Sequence, residues 1–170
     1  MNIFIIIHLL IFFYNFYPLL IPASKFYDKI YLTFILIVLI NWVVFKGECF
    51  ISYLWKKLEN PNYIMGSNIF DITDIKHSFP FFDSYFVENI MPYLLLCSHI
   101  LFIYTAIRSK LLSISLCLLY FIIALFILFR VRKFYNKKLH DKLEKYMILD
   151  FINTVSIIIL IYLMYIIWNK

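Results

Sequence analysis

Apolar residues run almost unbroken along about five stretches of the chain, at 3–20, 30–45, 90–107, 111–129 and 147–168. A stretch of about 18 or more such residues reads as a membrane-spanning helix. The second run falls a little short of that length, so four spans remain an alternative to five. Within each run the apolar positions are continuous and do not alternate. In lipid every backbone N–H and C=O must be paired internally, and continuous apolar runs satisfy this as helices, not as barrel strands. The pattern therefore predicts an all-α integral membrane protein, a single membrane domain over 1–170. Two connections, 23–29 and 108–110, are tight turns. The second forces the helices on either side of it into an antiparallel hairpin. The other two connections are a long loop at 46–89 and a basic one at 130–146.

Composition agrees with this pattern. The chain is 64% hydrophobic, with a mean hydropathy of +0.87, against about 45–50% apolar residues in a soluble domain. Its 2 glycines, Gly47 and Gly66, both lie in the long loop. That excludes a Walker phosphate loop, a dinucleotide fingerprint and a GxxxG helix contact. The helices must pack through bulky side chains helped by Ala, Ser and Thr. The 3 cysteines, Cys49, Cys97 and Cys117, are an odd number with two inside apolar runs, which is no disulfide framework. No N-x-[ST] sequon occurs. Ala23 and Ser24 offer a small-residue cleavage site after the first run. However, residues 1–2 carry no basic side chain, and the run exceeds the roughly 7–15 residues of a signal core, so a retained helix is expected.

The net charge of +6 does not call for a nucleic acid. With five spans, residue 1, the 46–89 loop and the 130–146 loop share one side, and most Lys and Arg lie there. The positive-inside rule then puts the N-terminus in the cytoplasm and the C-terminus outside. The 130–146 segment carries seven basic residues beside the membrane. Anionic headgroups are its nearest partner, at about 1 kcal/mol per Lys or Arg. Tyr135, Leu139, Leu143 and Met147 give that segment an apolar stripe. Docking of an acidic partner or RNA is its second reading. Association with a second copy or another membrane chain is left open.

The long loop begins with an amphipathic stretch. Ile51, Leu54, Trp55 and Leu58 fall at helical spacing, with Lys56, Lys57 and Glu59 on the polar side. This predicts a short helix lying in the membrane interface. Asn60 and Pro61 end it, because proline cannot continue the hydrogen-bond ladder. Further on, Asp71, Asp74 and His77 stand at three-residue steps. On a helix they would share a face and offer oxygen and nitrogen ligands to a divalent metal. In an irregular loop they are solvated side chains.

Ionisable groups inside spans are functional candidates because lipid makes them costly. They are His8, His99 and Asp150, with Asn41 and Asn153 beside them. At ~1.5 Å per residue, all but His99 fall within about 10 Å of the inner boundary. One reading has these side chains hydrogen-bond between helices and fix packing. The other has them converge on a cavity that handles protons, an ion or a metal. Haem held by His8 and His99 needs equal depths, and theirs differ by about 6 Å. No catalytic residue stands out, and no cofactor is expected.

Asn41 and Trp42, followed by Cys49, Ile51 and Ser52, resemble a signature of small uncharacterised multi-span membrane proteins of bacteria and large DNA viruses. The signature is Asn or His before Trp, then Cys, an aliphatic residue, and Ser or Thr. The chain departs from its commoner form in having Asn before Trp42, and Trp55 where an acidic residue is frequent. The resemblance implies a multi-pass membrane protein and little about chemistry. The expected function is a structural or accessory membrane component, cellular or viral. The alternatives are a small transporter or proton-handling protein, and a metal- or haem-binding membrane enzyme.

Overall fold

The computed structural model describes residues 3–67, 90–133 and 148–170, and these contain helices and no strand. The elements are α1 (Ile3–Tyr14), α2 (Tyr17–Leu20), α3 (Lys25–Val44), α4 (Phe50–Glu59), α5 (Met91–Arg108), α6 (Ile114–Lys133) and α7 (Ile148–Asn169). Three of them, Lys25–Val44, Met91–Arg108 and Asp150–Asn169, contain helix long and apolar enough to cross a membrane. A fourth apolar stretch, Ile114–Leu128 of α6, is shorter. The stripe at Tyr135, Leu139, Leu143 and Met147 lies outside the described residues.

The helix boundaries have local causes. The first apolar run is two helices, not one. Pro18 has no N–H, and its ring would clash with the Tyr14 carbonyl four residues back, which is where α1 ends. Around the break the chain tightens into three-residue hydrogen bonds from Asn15 N to Phe12 O (3.2 Å) and from Phe16 N to Phe13 O (3.0 Å). The second run, short in the sequence, lies within a 20-residue helix that starts at Lys25. It takes in the 25–29 part of the expected turn. Asp28 stands in its first turn, where a carboxylate suits the positive end of the helix dipole. Pro92 opens α5, where its missing N–H has no intrahelical role.

α3 is the central helix, packed against α7, α5 and α6. Tyr31, Leu32, Ile35, Leu36 and Leu39 on α3 are at most 2% exposed. Leu160, Leu163 and Ile167 of α7 meet this core, as do Phe102 of α5 and Tyr120 of α6. The first half of α3 contacts the last turns of both α5 and α7, so α3 runs antiparallel to each. Without glycine in the spans, close approach falls to Ala106, Ala124 and Thr105, all fully buried. Large apolar side chains also cover the outside: Ile37 is 52% exposed, Ile122 65% and Ile158 60%. An apolar exterior on this scale suits acyl chains as solvent.

Leu36→Ala is expected to lower stability in mixed micelles by about 2–5 kcal/mol, through lost dispersion contacts and a cavity. Ile37→Ala, on the exposed side of the same helix, should stay within about 0.5 kcal/mol. Reversible unfolding of both variants measures the difference.

Candidate functional site

Most of the buried polar groups among the described residues fall into three places. The first is at the start of α3. Arg108 Nη2 donates to Asp28 Oδ1 at 2.6 Å, and Arg108 Nε to Oδ2 at 3.3 Å. Arg108 Nη1 also donates to the Pro18 carbonyl at 3.3 Å. The Tyr17 hydroxyl donates to Asp28 Oδ1 at 3.4 Å. Asp28 is 1% exposed, and the Arg108 guanidinium lies 5.4 Å from the Tyr104 ring. The planar fork of Arg matches both carboxylate oxygens, which a lysine would not do. At the same end Trp168 Nε1 donates to Thr33 Oγ1 at 2.9 Å, tying α7 to α3.

The second place is within the bundle. His99 Nδ1 and the Tyr120 hydroxyl lie 2.7 Å apart and join α5 to α6. The Tyr120 ring stacks on Phe102 with centroids 3.7 Å apart. The Tyr31 hydroxyl donates to the Asn15 carbonyl at 3.1 Å and reaches the Ser98 carbonyl at 3.5 Å. His99 is 3% exposed, and its Nε2 has no hydrogen-bond partner among the described residues.

The third place is the corner between α3 and α4. Lys46 (φ 54°) and Gly47 (φ 89°) take left-handed conformations that end α3, and the Gly47 N–H closes onto the Trp42 carbonyl at 2.6 Å. The Asn41 side-chain oxygen accepts the Phe50 N–H at 3.0 Å, satisfying a free donor in the first turn of α4. Cys49 is the N-cap residue of α4, by its backbone position. Glu48, 1% exposed, accepts Lys56 Nζ at 2.6 Å and the Tyr63 hydroxyl at 2.7 Å on Oε1, and the Gly66 N–H at 3.1 Å on Oε2. Gly66 is needed there: its φ is +77°, and a Cβ would stand 3.0 Å from Lys46 Cβ.

Of the residues singled out from the sequence, Asn41, Trp42 and Cys49 lie at this corner, and Ser52 is on the buried side of α4. Among the intramembrane candidates with described side chains, Asn41 and His99 bind different helices. Asn41 binds α4, His99 binds Tyr120, Asp150 is exposed, and Asn153 is half-buried on α7. The side chain of His8, and all of Asp71, Asp74 and His77, lie outside the described residues. Among the described residues no three His, Cys, Asp or Glu side chains gather as metal ligands would. Sequence reasoning missed Asp28, Arg108, Glu48, Tyr120 and the burial of Lys56. The available signal for the first pair was an acid at the start of one apolar run and an arginine at the end of another. Compared with known proteins, the chain matches no family model, no curated protein and no solved structure.

Arg108→Ala should destabilise the protein by about 3–5 kcal/mol, because it leaves the Asp28 carboxylate buried without its counter-charge. The double variant Asp28→Asn/Arg108→Leu should recover part of that loss, and unfolding of the full mutant cycle measures the coupling. Glu48→Ala releases Lys56. Limited trypsin digestion in micelles should then cut after Lys56 several-fold faster than in the parent chain.

Proposed function

We propose that the chain is a five-crossing membrane protein that serves as a structural or accessory component of a membrane, cellular or viral. In this reading α1 and α2 together form the first crossing, and α3, α5, α6 and α7 form the others. The N-terminus is cytoplasmic and the C-terminus external, as the charge asymmetry favours. The 130–146 segment lies against anionic headgroups. The reading includes kinship with the small multi-span proteins that carry the Asn41–Trp42 and Cys49–Ser52 signature.

The observation that carries the proposal is how the buried charges are used. Asp28 and Arg108 take each other, and Glu48 takes Lys56, Tyr63 and Gly66. These groups tie elements together and present no free carboxylate or ammonium to a substrate. A second reading, proton handling, is favoured by one observation, the buried Nε2 of His99 beside Tyr120. A neutral imidazole with one nitrogen unengaged can take up a proton, at a desolvation cost.

Reconstitution into vesicles with a trapped pH dye separates the two. Under an imposed membrane potential the structural reading expects proton entry equal to that of protein-free vesicles. Entry well above that level, abolished by His99→Ala while the variant stays folded, would replace it with the second reading.

A further inference from the structure

α4 is turned the opposite way to a helix on a water-exposed surface. Its protein-facing side carries Ser52 and Lys56, one turn apart, at 6% and 5% exposure. Stepping by four residues along the other side gives Phe50, Leu54 and Leu58. Phe50 is 40% exposed and Leu58 70%, and Ile64, just past the helix, is 73% exposed. A helix facing water hides its apolar stripe and shows its charges. Here Lys56 has been drawn inward, held by Glu48 and lying 5.4 Å from the Tyr63 ring, while Leu58 and Ile64 face out beside the exposed Lys57 and Glu59.

That inversion is stable when the outside is apolar. α4 starts six residues after the end of α3, at Val44, which is itself 50% exposed. The outward side of α4 thus continues the apolar exterior of a helix long enough to cross a membrane. Two cations flank it, because Lys46 and Lys57 are both exposed. Apolar residues bordered by lysines suit the boundary between acyl chains and headgroup phosphates.

We infer that the outward side of α4, with Ile64 just past it, forms a docking surface for lipid of the leaflet at the Asn41 end of the bundle. Phe50, Leu54, Leu58 and Ile64 enter the acyl boundary, and Lys46 and Lys57 lie among the phosphates of anionic lipid. The Glu48 network locks the segment so that its polar side cannot turn outward. The inference rests on the membrane-crossing reading above.

Nitroxide labels on single cysteines of the full chain test it, with the native cysteines replaced. The label sites are Leu58→Cys and Ile64→Cys, with Ile158→Cys on α7 as the lipid reference and Asn62→Cys as the water reference. In phosphatidylcholine vesicles containing phosphatidylglycerol, collisions with oxygen are compared with collisions with a water-soluble nickel chelate. The inference expects the oxygen-to-nickel ratio at Leu58 and Ile64 to exceed that at Asn62 several-fold, at a depth of about 5–10 Å. It also expects Lys46→Gln/Lys57→Gln to make that depth shallower only when anionic lipid is present. A water-like ratio at Leu58 and Ile64 overturns the inference. So does poor access for both reagents, which would mean that protein covers the surface. If the Ile158 label also reports water, the membrane-crossing reading itself has failed.

Discussion

The Asp28–Arg108 pair is the interaction on which the arrangement of the helices depends. Lipid removes the usual drive for association, since acyl chains solvate leucine as well as another helix does. Packing still contributes through many small dispersion gains, but apolar surfaces slide past one another at little cost. An ion pair 2.6 Å long, buried at its carboxylate, does not slide. Displacing α5 by one helical turn, about 5.4 Å, would strand both charges in a medium that solvates neither. Because Arg108 also binds the Pro18 carbonyl and Asp28 also accepts from Tyr17, the same point fixes α2.

Packing inside the bundle follows from that fixed register. With α3 and α5 aligned, the buried row on α3 meets Phe102, and Phe102 in turn stacks on Tyr120 of α6. Tyr120 is thereby presented to His99, so a residue that looked like a ligand in the sequence becomes a contact between α5 and α6. The imidazole still has one nitrogen to spare. That spare nitrogen is what attaches the proton-handling reading to His99.

The helical class and the approximate run positions were legible because continuous apolar runs are a one-dimensional signal. The division of the first run at Asn15 was not read, although Pro18 carried the information, because a proline near a run end breaks little in a simple length count. Asp28 falls in an expected turn, since an acid eight residues past the end of the first apolar run looks like a loop. Only its partner, eighty residues away, makes it helical and buried. The α4 helix was legible from its spacing, but its facing was not. Amphipathic pattern alone puts lysines in water, and it takes Glu48, Tyr63 and Gly66 in place to show that Lys56 turns inward. The Asn41 signature was noticed as a string of residue types. Its physical content is a corner, in which a side chain from one helix satisfies the first turn of the next.

The two polar points on α3 explain why this helix organises the rest. Asp28 and Asn41 are thirteen residues apart, which is about 20 Å along the axis. At about 100° per residue they project roughly 140° apart around the helix. Asp28 therefore reaches α5 while Asn41 reaches α4, and neither competes with the apolar row between them. One helix thus sets the register of the bundle at one end and the position of the surface helix at the other. A change that rotates or shifts α3 must disturb both ends together, so the bundle and the 46–67 segment are mechanically one unit.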